Sequence, residues 1–318
     1  MTWKCKELIY KLESPVHIGK GQKLGIIDRT RYYIPGKTMW GAGVAKIGKE
    51  KDLSDDKEWK DLKDFVRKNM IFTYFYISNE KGEEVLGPEY KDNGLKYGGK
   101  SEQEFESKYI TSFASAGVEK NSGTTTDGDL HEFELIKDKI GPSETVFLKG
   151  YVFIDEEDFE DHDEYVLDNF MDYTKKLQVG GERNYGYGKI ERKNENLIED
   201  KIFDIDVDLD CETPIINPDK NSFNIFAHLL VRDDDEPYFS KLKEINGDLE
   251  PLVGREWKDS LGKNANYEGV GVAPGSRIKL KDIDDYDPTN CKEAKPEDYD
   301  PEIILGDYGL LKFKDESN

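Results

Sequence analysis

Between residues 3 and 193, stretches that favour strands and stretches that favour helices follow one fixed order, and few folds satisfy that order. "WKCKELIYKL" (3–12) alternates in part and reads as a strand, with Cys5, Leu8 and Tyr10 divided between its two faces. "RYYIPGKTMWGAGVAKI" starts as a strand and breaks at Pro35-Gly36. It then continues as a helix whose small residues, Ala42, Gly43 and Ala45, allow close approach to a sheet. Leu53, Trp59, Leu62, Phe65 and Val66 recur at helical spacing across 52–69, and "MIFTYFYIS" (70–78) is a strand rich in aromatic residues. Residues 79–130 are polar and dotted with glycine, and read as an insertion of loops and short hairpins. "HEFELI" (131–136) and "TVFLKGYVFID" (145–155) then give two strands joined across Gly141-Pro142. "EEDFEDHDEYVLDNFMDYTKKLQ" gives a helix with Tyr165, Val166, Phe170, Tyr173 and Leu177 on one side. Its acids come early, and Lys175 and Lys176 fall in its last turn, as the helix dipole favours. "YGKIERK" opens one more strand.

With the insertion set aside, the order is βαββαβ, the split ferredoxin-like plan. A chain of 318 residues suggests two domains. Residues 1–200 would form the first. Residues 201–318 would form a shorter, degenerate copy, with a strand at "FNIFAHLLV" (223–231), a short helix near 237–246 and later strands around "YEGVGVAPGSRIKLK". The expected class is therefore α+β, as tandem ferredoxin-like (RRM-like) domains with a glycine-rich loop and a long insertion in the first.

The net charge of −22 argues against a polyanion partner when taken as a whole, but the charge is uneven. Residues 1–50 hold ten Lys/Arg against four Asp/Glu, whereas residues 151–200 hold six against fifteen. Cys5, Cys211 and Cys291 are too few and too far apart for a disulfide framework or a zinc knuckle. No run reaches the ~20 apolar residues that span a bilayer, and the strand-like N-terminus lacks a secretory apolar core, so the cytoplasm is expected.

Two stretches combine glycine, cations and aromatics. The first is "GGERNYGYGK": Gly180, Gly181, Gly186 and Gly188 allow close backbone approach to phosphate. Arg183 and Lys189 can neutralise phosphates, Asn184 can hydrogen-bond to them, and Tyr185 and Tyr187 can stack on bases. The second runs from "HIGKGQK" through "DRTRYYIPGKTMWGA" and carries His17, Lys20, Lys23, Arg29, Arg31 and Lys37, with Trp40 placed to pack beneath. The helix starting near Lys37 could offer its N-terminus to a phosphate. Neighbouring first and fourth strands would bring the two stretches together as one basic track. Neither is a Rossmann or P-loop signature. Asp127, Asp129, His131 and Glu132 cluster in sequence, but no second cluster completes a metal site, so neither metal nor cofactor is expected.

A strand, then "SPVHIGKG", "YYIPGKTMWGA", "GTTTDGDLHEFELI" with "SETVFLKGYVFI", then a helix and "VGGERNYGYGKI" resembles the RAMP superfamily of CRISPR effector proteins over about residues 5–193. The second half resembles the degenerate second domain of its larger, Cas5-like members in type III and related effectors. The resemblance implies a non-catalytic subunit that binds the 5′ repeat-derived handle of crRNA and caps a filament of backbone RAMP subunits, with a nuclease or large subunit as a further candidate partner. Target-cutting members use an acidic residue near the first helix, and "IPGKTMWGAG" has none. Processing endoribonucleases of the superfamily use a histidine near the start of the fold, a position His17 could match. That gives the rival expectation of a metal-independent endoribonuclease. An acidic protein-interaction module without an RNA role is the third.

Overall fold

The computed structural model describes residues 3–23, 26–91, 94–115, 131–160, 167–219, 222–232, 238–258, 260–282 and 301–314. Strand β1 (Trp3–Leu12) leads to the hairpin β2 (Gly19–Lys23) and β3 (Ile27–Thr30), then to β4 (Tyr33–Ile34), α1 (Gly36–Glu50), α2 (Asp56–Asn69) and the broken strand β5 (Met70–Phe72) and β6 (Phe75–Ser78). The inserted segment adds β7 (Pro88–Lys91), β8 (Gly94–Tyr97), β9 (Lys100–Ser101), α3 (Glu102–Tyr109) and β10 (Ile110–Ser115). The first half ends with β11 (His131–Ile136), β12 (Lys139–Ile140), β13 (Glu144–Thr145), β14 (Phe147–Asp155), α4 (Glu156–Glu160), α5 (Leu167–Tyr173), β15 (Lys176–Gln178) and β16 (Lys189–Ile198).

The main sheet runs β15-β16-β1-β14-β6-β4, with β5 also on β14. Its core pairs are antiparallel and place the fourth strand beside the first, the first beside the third and the third beside the second. This is the order the βαββαβ plan requires of the first half. Side chains alternate across a strand, and here both faces are covered. Leu8, Tyr10 and Leu12 of β1 and Leu148, Val152 and Ile154 of β14 join the core under the helices. Cys5, Tyr151 and Phe153 point the other way, into a second core shared with Ile202, Phe226 and Leu305 of the second half. A strand buried on both sides needs little polar alternation, hence the imperfect pattern of "WKCKELIYKL". Burial raises the Cys5 thiol well above its ordinary range.

Local signals set the helix starts. Asp55 and Glu58 form a reciprocal capping box at α2, and Ser101 and Glu104 form another at α3. The latter marks a helix within the stretch read as loops and hairpins. Gly48 leaves room for Trp59, whose ring carbon would lie 2.3 Å from any Cβ placed there, so α1 and α2 pack closely.

"HEFELI" and "TVFLKGYVFID" lie in different sheets: β11 belongs to a separate four-stranded arm of order β10-β11-β3-β2, and β14 to the main sheet. Two expectations are corrected. The helix before the glycine loop ends at Tyr173 rather than at Leu177, because Leu177 is buried as part of β15, paired with Ile190 of β16. Lys175 and Lys176 therefore lie beyond its last turn, and Tyr165 and Val166 lie outside the described residues. The second half is built from strands and 3-10 turns, with no α-helix among its described residues. Instead of a helix near 237–246, a 3-10 turn (Tyr238–Lys241) leads into a strand (Leu242–Asn246) that pairs with Arg277–Leu280 and buries Leu242. An eight-stranded sheet, including the long hairpin of Leu249–Lys258 and Ser260–Val272, stands where a second βαββαβ copy was expected.

Candidate nucleic-acid interface

The ladder of β15 with β16 ends at Gln178 and Lys189, so residues 179–188 must close the hairpin. They do so by lying on the segment just after β1. The Gly181 N–H donates to the His17 carbonyl at 2.9 Å, the Gly188 N–H to the Pro15 carbonyl at 2.8 Å, and the Lys189 N–H to Ser14 Oγ at 2.9 Å. Gly180 has φ +77, and a Cβ there would stand 2.1 Å from the His17 carbonyl oxygen. Only glycine fits that approach. The loop and the basic stretch, far apart in sequence, thus meet as the strand order demands. The amides of Gly181 and Gly188 serve this docking, and the Gly186 N–H donates to the Arg183 carbonyl, so these three glycine amides are already engaged within the chain. Arg183, Asn184 and Tyr185 form an exposed 3-10 turn, and Lys189 is exposed beside it. Gln178 Nε2 holds the turn from below, donating to the carbonyls of Arg183 and Tyr187.

The two tyrosines rest on the arm. Phe133 of β11, fully buried, has Tyr185, Tyr187 and Phe113 around it at ring-centroid distances of 6.1, 5.9 and 5.5 Å. His17 meets it edge-on and His131 lies nearly parallel to it. Phe113 and Phe133 are direct cross-strand partners, which sets both on one face of the arm. Phe113, Phe133 and His131 were missed as site residues. The H-x-F-x-L alternation of "HEFELI" signals that His131 and Phe133 share a face, but nothing local says that the glycine loop packs there.

The structure narrows the expected track. Lys20 and Lys23 are exposed on β2, the outer edge of the arm. Arg29 and Arg31 instead point into the molecule. Arg29 Nη2 donates to the Tyr32 hydroxyl and lies 3.3 Å from Glu106, with its Nε 3.5 Å from Glu134. Arg31 Nη1 donates to the Tyr33 hydroxyl at 2.8 Å and to Glu250 at 2.7 Å. Burial works against the Arg31 charge, but Tyr33 and Glu250 outweigh it and leave the guanidinium more basic than usual. Burial likewise opposes ionisation of Glu250, yet His228 and Arg31 hold it down at about 2. Lys37 and Trp40 sit at the far edge of the main sheet, where β4 feeds α1. There the Lys37 ammonium lies 4.9 Å from the Tyr308 ring centroid and Trp40 packs edge-on to the same ring. The Tyr308 carbonyl covers Gly36 at the start of α1, so that helix N-terminus faces the chain's own C-terminal segment.

His17 is 7% exposed, and its Nδ1 lies 2.8 Å from the Glu134 carbonyl. A carbonyl only accepts, so Nδ1 carries the proton. His131 and Glu132, adjacent on a strand, point to opposite faces, while Asp127 and Asp129 lie outside the described residues. Among the described residues no group of three or more His, Cys, Asp or Glu is placed to hold a metal, and no helix is long and apolar enough to cross a membrane.

No curated protein matches the sequence. Solved chains that share its fold include two from cryo-EM structures of the Type III-B Cmr-beta bound to cognate target RNA, one of them also with AMPPnP. Their TM-scores are both 0.51 at 13% and 12% identity, covering 97% of this chain in each case and 99% and 98% of those chains. The RAMP superfamily model matches residues 9–191, from within β1, through the docked glycine loop, into β16; the chain belongs to the RAMP superfamily.

Proposed function

We propose that this chain is a non-catalytic RNA-binding subunit of a CRISPR effector complex, holding the 5′ repeat-derived handle of crRNA and capping the filament of backbone subunits. The observation that carries this reading is the docking of the glycine loop on residues 14–17, which presents Arg183, Asn184, Tyr185 and Lys189 together at the surface. Exposed cations beside exposed rings are what a single-stranded backbone and its unstacked bases require. The likeness in fold to chains of Type III-B Cmr-beta complexes bound to target RNA agrees with RNA and other effector subunits as partners. The acidic remainder of the chain would face protein or solvent and repel RNA from other surfaces.

The burial of His17 and its edge-on packing against Phe133 favour a bracing role over general acid–base work. Incubation of repeat RNA with the protein in the absence of metal tests this. Tight binding with intact RNA is expected. Cleavage that vanishes in His17→Ala would establish the endoribonuclease instead. Failure to bind handle RNA, even with partner subunits present, would leave the acidic interaction module.

A further inference from the structure

We infer that the arm and the glycine loop together form a single nucleobase-stacking site, with Phe113 and Tyr185 as its contact faces and Tyr187 and Phe133 as its support. This rests on the RNA-binding reading and assigns a role to Phe113 and Phe133, which that reading leaves unused.

Exposure divides the cluster into two pairs. Tyr185 is 54% exposed and Phe113 42% exposed, whereas Phe133 is 1% exposed and Tyr187 is half-buried. Tyr187 makes edge-to-face contacts with both phenylalanines, at 6.4 Å from Phe113 and 5.9 Å from Phe133. Two such contacts and its partial burial tie Tyr187 into the cluster as a support. Tyr185 and Phe113 each lean on Phe133 at intermediate tilts of 36° and 47°, with much of their surface still in water. The two outer rings belong to elements distant in sequence, the 3-10 turn of the loop and strand β10, and are held by one buried ring between them.

The occupant follows from the charge around this apolar surface. Arg183 lies two residues before Tyr185 on the same exposed turn, and the exposed Lys189 closes the same loop. An apolar protein segment would gain nothing from these cations. An unpaired base gains a ring surface for its π-face while its phosphates meet Arg183 and Lys189. Stacking is tolerant of base identity, so this site fixes a nucleotide's position without reading its sequence.

The test uses the full chain and a short oligoadenylate RNA carrying 2-aminopurine at one position at a time, with a parallel set in which that base is replaced by an abasic ribose. Fluorescence quenching at one position and weaker binding of the matching abasic RNA are expected. Phe113→Ala and Tyr185→Ala should each weaken binding about 5- to 150-fold, with the double variant no weaker than the product of one loss and a small remainder. Phe113→Trp should retain affinity, which separates loss of the ring from loss of fold. The salt dependence should be unchanged in all of them, because the phosphate contacts persist. Phe113→Ala binding as tightly as wild type, with a normal salt slope, would overturn the stacking site and leave RNA binding in place. Absence of salt-dependent binding by the wild-type chain would overturn the RNA reading and this site with it.

Discussion

Arg31 Nη1 stands 2.7 Å from Glu250 Oε2, and this contact fastens the exit of β3 to the long hairpin of the second half. Around it the hydrogen bonds close consistently. The Tyr74 hydroxyl lies 2.6 Å from His228 Nδ1, and His228 Nε2 lies 3.2 Å from Glu250. A neutral imidazole satisfies both, accepting from Tyr74 at Nδ1 and donating to the carboxylate at Nε2. Burial lowers the basicity of His228 in keeping with that form.

Arg31→Ala is expected to act on stability and not on RNA affinity. Removing one partner of a largely buried ion pair strands the other, at a cost of about 3 kcal/mol, the low end for such pairs, because Arg31 and Glu250 remain 19% and 21% exposed. Thermal unfolding measures the loss. An unchanged melting temperature with lost RNA binding would return Arg31 to the RNA-binding surface.

The same network sets an acid limit. Glu250 is held below its unfolded value, so its stabilisation is complete above about pH 4.5 and disappears as pH falls towards about 2. His228 is lowered too, so protonation costs stability as pH drops below about 6.5. Both signs agree: stability should decline on acidification from below neutrality, and Glu250→Gln should flatten the lower part of the profile. Urea midpoints measured across that range check the shape.

Gly180→Ala should destabilise by more than ~2 kcal/mol, combining a left-handed backbone, unfavourable by ~1–2 kcal/mol for other residues, with a Cβ 2.1 Å from the His17 oxygen. Gly186 also has positive φ, at +86, but nothing lies within 4 Å of its Cβ position, so Gly186→Ala should cost only ~1 kcal/mol. Amide exchange at Gly181 should accelerate in the first variant alone.

Arg183→Ala and Lys189→Ala should each lower the slope of log affinity against log salt by about 0.7, the single-strand value per phosphate contact. Arg29→Ala should leave that slope unchanged, because its guanidinium is paired with Glu106 and Glu134. Titrations at several salt concentrations discriminate the two classes.

The core strands and first two helices of the first half were legible because local pattern and tertiary demand coincide there. The two-sided burial of β1, the capped start of α2 and the glycine-rich closure before β16 all leave marks in neighbouring residues. Leu177 shows where that fails. It fits the apolar face of a helix equally well, and only its pairing with Ile190 makes it a strand residue. The cations show the same limit. Lys20 and Arg31 look alike within one basic stretch, yet one is exposed on β2 and the other is bound to Glu250, 219 positions along the chain.

Sequence alone determined the strand-and-helix order of the first half and the presence of cations and rings in both stretches. Periodicity and glycine placement are local and act before any distant contact forms. The folded chain alone decided which cations face water, that Phe113 and Phe133 carry the loop's tyrosines, and that the second half spreads as sheet without the expected helix. Those outcomes depend on partners brought together by packing, and a side chain's charge or ring does not specify which partner it will meet.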